Sequence, residues 1–230
     1  KAYGKPHPAP DWLPRVPYVI PECTPFEEWK SASLIASPGC YPTSALVPLI
    51  PLMKEHIIGP GSITISSISG LSGAGKQASE AFSFCERNES LKAYGLPRHR
   101  HGVEIETHLH ALSGSNASIQ FIPHLAPVSR GMATTIVAKT NDPNPYPIWE
   151  ACYGQAPFVQ CLPTGETPDS AHVVHTNALH MSACYDEQTG NLILTSAIDN
   201  LLKGASGQAI QIMNLKYGFG ETCGLPGNAS

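Results

Sequence analysis

Ala36-Ser37-Pro38-Gly39-Cys40-Tyr41-Pro42-Thr43 is the stretch on which the reading of this sequence turns. Pro38-Gly39 forces a turn. Pro42 stands where the first turn of a helix tolerates a missing N–H, and Leu46, Val47, Leu49, Ile50, Leu52 and Met53 then recur at helical spacing as far as Gly59-Pro60-Gly61. Cys40 is therefore expected at a helix N-terminus. Unpaired backbone N–H groups and the positive end of the helix dipole favour a thiolate there, which predicts a lowered pKa and a nucleophilic sulfur. The same N–H groups suit a developing oxyanion. An inert, buried cysteine in an ordinary Pro-Gly turn is the plain alternative, and it is kept for Cys23, Cys85, Cys152, Cys161, Cys184 and Cys223.

Outward from this helix, Ser62 to Ser69 reads as a strand that runs into the Gly-rich loop Gly70 to Lys76. Ala117–Pro123, Met132–Lys139, Val173–Cys184 and Asn191–Ala197 are rich in β-branched and apolar residues between turn formers, which predicts a mostly antiparallel sheet. Helices are expected near Gly102–Leu112, at Tyr146–Tyr153 and at Leu201–Asn214. Lys1 to Pro25 holds seven prolines and reads as an extended or looped segment. The alternation of strand-like and helix-like runs indicates an α/β or α+β protein.

Composition narrows the function classes. With 230 residues and 42% hydrophobic content, the chain can build one large domain or two small ones. Only 14% of residues are charged, the formal net charge is −4, and no Lys/Arg run forms a basic stripe, so nucleic acid is not expected as a partner. No apolar stretch reaches the roughly 18–20 residues that span a bilayer, so no membrane partner is expected. Seven cysteines, an odd number without C-x-x-C pairing, fit a reducing cytoplasm. The start at Lys1, without Met or a leader, reads as the start of a fragment.

Ser37 to Thr43 (SPGCYPT) resembles the active-site signature of the N-acetyl-gamma-glutamyl-phosphate reductases. Gly70–Lys76 (GLSGAGK), Arg98–Glu104 (RHRHGVE), Pro123–Gly131 (PHLAPVSRG) and Asp199–Gln208 (DNLLKGASGQ) resemble that family's other blocks, in its order, from about Pro6 to Gly224. Departures are Ser37, where another residue is more usual, and Gly102-Val103 before Glu104; neither removes a group that performs chemistry. The resemblance implies a glyceraldehyde-3-phosphate dehydrogenase-like catalytic domain with a mostly antiparallel sheet, plus the C-terminal remainder of a Rossmann domain. On that basis residues 1–60 are expected to be the tail of the nucleotide-binding domain with the cysteine turn and helix, 61–198 the catalytic and oligomerisation domain, and 199–230 a helix returning to the nucleotide-binding side. No G-x-G-x-x-G follows an early strand, so most of the N-terminal Rossmann segment is expected to be missing.

The resemblance further implies NADP-dependent reduction of N-acetyl-glutamyl 5-phosphate to the semialdehyde and phosphate, in arginine biosynthesis, by a homo-oligomer, dimer or tetramer. Cys40 would be the nucleophile and His99 the acid–base, with Arg100, His101 and Arg130 at the substrate. Ser72, Gly73, Gly75, Asn200 and Gly204 would meet the cofactor. Each has a plainer reading: a solvated turn for the histidines, a simple loop for the glycines, a structural acid partner for either arginine, and a tightly packed helix start for Asn200 and Gly204. Histidine spacing (His99/His101, His108/His110) raises a metal, but residues two apart diverge on a helix and no ligand set is completed, so none is expected. An aspartate-semialdehyde dehydrogenase-like acyl-phosphate reductase and a non-catalytic oligomerisation module are the competing readings.

Overall fold

The computed structural model describes residues 6–75 and 79–227. Lys76, the end of the Gly-rich block, and Lys1 to Lys5 of the opening segment lie outside the described residues. In chain order the elements are α1 (Cys40–Lys54), β1 (Ser62–Ser69), α2 (Phe84–Arg87), β2 (Lys92–Ala93), α3 (Arg100–Ser113), β3 (Ser118–Leu125), β4 (Met132–Lys139), α4 (Tyr146–Tyr153), β5 (Val159–Cys161), β6 (Leu179–Asp186), β7 (Asn191–Ile198) and α5 (Gly207–Tyr217). The seven strands make one sheet in the order β2-β3-β1-β4-β7-β6-β5. The β1–β3 and β5–β6 pairs are parallel and the rest antiparallel, as expected from the sequence.

Burial explains which face the helices take. Ile63 and Ile65 of β1, Phe121 of β3, Ile136 of β4, Leu192 and Leu194 of β7 and Met181 of β6 share one core with α1, Ile105 and Leu109 of α3 and Trp149 of α4. The alternate strand residues, among them Thr64, Thr135 and Thr195, look the other way and are at least partly exposed. The cysteine helix packs with the sheet of residues 61–198, because its apolar residues run all round it and every position from Tyr41 to Met53 is buried. A separate small cluster joins Val19 and Trp29 to Ile212 of α5, so the segment before the cysteine and the last helix pack on each other.

Two internal prolines make α1 an unusual helix, and its surroundings supply what they remove. Pro48 and Pro51 have no N–H to give to the carbonyls four residues earlier, those of Ser44 and Val47. The Ser196 hydroxyl donates to the Ser44 carbonyl at 2.7 Å, and the Tyr153 hydroxyl donates to the Val47 carbonyl at 2.7 Å. Both orphaned acceptors are thereby satisfied in the core.

Two other expectations shift. Val173–Cys184 is strand only from Leu179, because the first half is held as turns: His175, at φ +68°, donates its N–H to Asp199 Oδ2 at 2.6 Å, and the Thr176 hydroxyl donates to the Val173 carbonyl at 2.8 Å. The helix expected over Leu201–Asn214 is split. Asp199 Oδ1 accepts from Leu201 and Leu202 N–H at 2.8 and 3.2 Å, a π-type turn spans Leu202–Ser206, and α5 starts only at Gly207.

Candidate active site

One rung of the sheet gathers the loops that carry the blocks seen in the sequence. Leu125, Ser69, Met132 and Ile198 stand side by side across β3, β1, β4 and β7. Since β1, β3 and β7 end there and β4 begins there, the segments 70–75, 126–131 and 199–206 converge.

Backbone bonds tie these segments together. Gly70 N–H donates to the Gly131 carbonyl (2.9 Å), Leu71 to Val128 (2.8 Å) and Ser72 to Ser129 (3.1 Å). The approach is so close at Gly70 that a Cβ there would lie 2.8 Å from the Arg130 nitrogen, which is why the position needs glycine. Asn200, 3% exposed, bridges both loops: its Oδ1 accepts from Gly131 N–H at 2.7 Å and its Nδ2 donates to the Ser72 hydroxyl at 2.9 Å. Arg130 Nε sits 2.7 Å from Asp199, whose side chain is fully buried. Asn200 thus ties two loops together, and Arg130 has a buried acid as its partner.

Cys40 opens α1 directly after the N-cap Gly39. The Gly39 carbonyl receives the Thr43 N–H at 3.1 Å and the Thr43 hydroxyl at 2.9 Å, which closes the first turn. The N–H groups of Tyr41 and Cys40 are left to the sulfur. The expected fall in pKa does not follow. Burial pushes the thiol up to about 11, the Tyr41 and Cys40 N–H groups pull it down without prevailing, and the Glu104 carboxylate adds to the rise. The reason is that a charged sulfur here gives up more solvation than two amide dipoles return.

Rings crowd the start of this helix. The Tyr41 and Tyr94 hydroxyls are 2.8 Å apart. The Tyr41 ring lies 6.1 Å from His99, 5.4 Å from His101 and 5.1 Å from Phe121, and His99 lies 5.0 Å from His101. His99 is the N-cap of α3: its Nδ1 accepts the His101 N–H at 3.2 Å, which assigns the ring proton of the neutral form to Nε2. Burial and the neighbouring Arg100 lower the His99 pKa. His101, lowered to about 4 by burial, then by His99 and Arg100, is neutral at neutral pH.

The structure brings Cys40, the paired histidines and the Ser72–Gly75 loop to one end of the sheet. Gly73 and Gly75 are exposed. Gly204 faces Cys40 directly, where a Cβ would stand 2.5 Å from the cysteine Cβ. Arg100 is exposed at the head of α3. Sequence reasoning missed Tyr94 and Glu104, although both fall in or beside the RHRHGVE block, and it missed Gln208, fully buried, whose Nε2 donates to the Thr43 hydroxyl at 3.0 Å. The tyrosine pair had no signal in spacing, since 53 residues separate its members.

A family model described as "Semialdehyde dehydrogenase, dimerisation domain" matches residues 40–200, a span that starts at Cys40 and ends at Asn200. The chain belongs to this semialdehyde dehydrogenase family. N-acetyl-gamma-glutamyl-phosphate reductase of Geobacter sp. (strain M21) is 47% identical over 231 residues, covering 97% of this chain and 66% of that protein. The reductase of Akkermansia muciniphila is 44% identical over 97% of this chain and 65% of its own length. The resemblance read from five sequence blocks is borne out, and the chain spans just under two thirds of the curated relatives it matches. Among solved structures, aspartate semialdehyde dehydrogenase II from Vibrio cholerae superposes with a TM-score of 0.71 at 17% identity, covering 89% of this chain and 69% of that one. Aspartate semialdehyde dehydrogenase with NADP from Candida albicans gives 0.63 at 13% identity, over 87% of this chain and 66% of that one. Both share the semialdehyde dehydrogenase fold described above.

Proposed function

We propose that this chain carries the catalytic part of an N-acetyl-gamma-glutamyl-phosphate reductase, which converts N-acetyl-glutamyl 5-phosphate to N-acetyl-glutamate 5-semialdehyde and phosphate in arginine biosynthesis. The observation that carries the proposal is Cys40 at the first position of a buried helix, with its N–H groups at the sulfur and a neutral histidine pair beside the next residue. The sequence relatives favour this substrate over the aspartyl one, since the aspartate semialdehyde dehydrogenases resemble the chain in fold at 17% identity or less.

In this reading Cys40 is the nucleophile. Its thiol is protonated at neutral pH, so attack needs a base, and neutral His99 takes the proton on Nδ1 once that atom releases the His101 N–H. Sulfur bonds to the acyl carbon, the carbon–oxygen bond to phosphate breaks, and phosphate leaves with the electron pair. The N–H groups of Cys40 and Tyr41 stabilise the oxyanion formed on the way. Hydride delivered to the thioester carbon then gives a tetrahedral oxyanion, which collapses to aldehyde and returns the thiolate to Cys40. Arg100, His101 and Arg130 are the groups assigned to the substrate's anionic ends.

A nicotinamide, NADP in this proposal, supplies the hydride when bound. The residues fit its ring end: Gly73 and Gly75 expose their backbone beside Ser72, and nothing lies within 4 Å of a Cβ on Gly75. Asn200 and Gly204 shape this edge from behind, one by bridging the loops and the other by seating Cys40. The packing of the segment before Cys40 on α5 supports assigning residues 6–39 and 199–227 to the nucleotide-binding side.

The outward face of the sheet supports a homo-oligomer. Thr64, Ser66, Ile68, Thr135, Val137, Ile193 and Thr195 form a partly exposed surface of β-branched and hydroxyl side chains. No described helix is long and apolar enough to cross a membrane, and we assign the protein to the cytoplasm. The deciding experiment compares NADPH oxidation by the full-length protein with N-acetyl-glutamyl phosphate and with aspartyl phosphate, before and after Cys40→Ser. Turnover of the N-acetylated substrate alone, lost in Cys40→Ser, is expected. Preference for aspartyl phosphate, or turnover that survives the substitution, contradicts the proposal.

A further inference from the structure

Tyr18 reaches α3 from a distant part of the chain. Its ring lies flat on His108, with centroids 3.4 Å apart and planes at 7°, and its hydroxyl donates to Glu104 Oε1 at 3.0 Å. Glu104 and His108 stand one turn apart on α3, so a single side chain spans both. The backbone of the same segment holds the entry to the cysteine turn: Val19 N–H donates to the Ala36 carbonyl and Ala36 N–H to the Pro17 carbonyl, each at 2.9 Å. Ala36 leads directly into Ser37-Pro38-Gly39-Cys40. This short stretch thus fixes the approach to α1 with its main chain and a carboxylate on α3 with the Tyr18 side chain.

Glu104 is placed to act on the sulfur. It follows His101 by three residues and so shares its side of α3, and the His101 ring lies 5.4 Å from that of Tyr41, the residue after Cys40. The other titratable side chains gathered there are neutral at neutral pH: burial raises the Tyr41 and Tyr94 hydroxyls, and burial and then neighbouring charge lower His99 and His101. Arg100 bears on Tyr94 and on the two histidines. Burial raises the Cys40 thiol, and Glu104 is the charged side chain that raises it further. A half-buried carboxylate gains hydration by turning to water, and a hydrogen bond from a fixed hydroxyl opposes that turn.

We propose that Tyr18 is a positioning residue for the nucleophile: its hydroxyl pins the Glu104 carboxylate on the side of α3 that faces the start of α1. The held charge disfavours a second negative charge at the sulfur, so Cys40 rests as a thiol until His99 takes its proton. The proposal rests on the reading of Cys40 as the nucleophile, and it gives the segment before the cysteine turn a part in the site.

The test measures Cys40 alkylation against pH, by mass spectrometry, in the full-length protein with buried Cys23 as the internal control. The variants are Tyr18→Phe, Glu104→Gln, Glu104→Asp and the combination of the first two, and acyl-phosphate reduction is followed alongside. Phenylalanine keeps the ring on His108 and removes only the donor. Tyr18→Phe is expected to move the Cys40 profile to lower pH, so that the rate at about pH 8 rises roughly two- to tenfold. Glu104→Gln should move it further in the same direction, and Tyr18→Phe should add nothing in that background. Glu104→Asp keeps the charge but draws it out of reach of the hydroxyl. It should shift as Tyr18→Phe does, and it decides the matter if Tyr18→Phe does not fold. An unchanged profile in Tyr18→Phe overturns the proposal, as does a shift to higher pH or one that persists in Glu104→Gln. Equal acceleration of Cys23 also overturns it, since that marks a general loosening. If the profiles shift as expected while none of the proteins reduces the acyl phosphate, Tyr18 keeps its role and the reductase reading falls.

Discussion

Gly204 lies so close to Cys40 that a Cβ built on it would stand 2.5 Å from the cysteine Cβ and 2.9 Å from its Cα. Neither atom can rotate away, so any side chain at 204 must displace the backbone of the π-type turn or of the helix start. Gly204→Ala is accordingly expected to cost about 1–3 kcal/mol, the usual range for overpacking a core. It should also change the alkylation rate of Cys40 relative to the other six cysteines, measured by mass spectrometry. A variant with the parent's melting temperature and alkylation profile would show that the contact constrains nothing.

Proline tolerance in α1 rests on two hydroxyls. Tyr153→Phe removes the donor to Val47, and Ser196→Ala removes the donor to Ser44, in each case leaving a buried carbonyl alone. Each substitution should destabilise the fold by about 1–3 kcal/mol, the penalty for an unsatisfied buried acceptor. Urea denaturation checks this. If replacing Pro51 by Ala returned most of the loss in Tyr153→Phe, the carbonyl and not the lost ring contact would be identified as the cause, because the restored N–H of residue 51 can reach Val47.

Acid should unfold this protein through its histidines. His101 and His108 are both lowered to about 4 from 6.5, chiefly by burial. Between those values the unfolded chain binds more protons than the folded one, so stability is fully present above about pH 6.5 and falls as pH drops towards 4. Melting curves across this window should show a steady decline, and His108→Gln should shallow it. For activity, the lowered pKa of His99 predicts that the base stays competent below pH 6.5. The raised Cys40 thiol predicts that alkylation of the free protein climbs until about pH 11. A plateau in alkylation near neutral pH would restore the lowered pKa that the helix N-terminus alone suggests.

That last contrast shows where sequence stops. The turn Ser37 to Thr43 announced a helix start with a cysteine on it, and local chemistry suffices for that because the turn and the missing N–H of Pro42 act within four residues. Whether the thiol is ionised depends on how deeply the helix is buried, which is fixed by α3, the sheet and Glu104 from elsewhere in the chain. Strands β1 and β4 were readable to the residue because their alternation is local. The stretch from Val173 was misread because Asp199, more than 20 residues on, captures the His175 N–H and bends an apolar run into turns. Asn200 and Arg130 stood out in the sequence for the cofactor and substrate, yet both also serve to lock two loops, a role visible only when Ser72, Gly131 and Asp199 come together.

The buried ion pair of Lys203 and Glu22 joins the segment before the cysteine to the turn that seats it. Lys203 is wholly buried, Glu22 almost so, and Gln211 bonds to both, its Oε1 accepting from Lys203 at 2.8 Å and its Nε2 donating to Glu22 at 2.9 Å. Lys203→Met leaves a buried carboxylate with only an amide for company, and it should cost about 3–5 kcal/mol. Adding Glu22→Gln removes the stranded charge while keeping a partner for Gln211, so the double variant should recover most of that loss. A double-mutant cycle in urea measures the coupling directly. Because Lys203 is bonded to Gly204 in the chain, Lys203→Met should also disturb Cys40, and alkylation should follow stability down in the single variant and back up in the double one. If stability recovered but the Cys40 rate did not, the pair would be positioning the cysteine beyond its part in holding the fold.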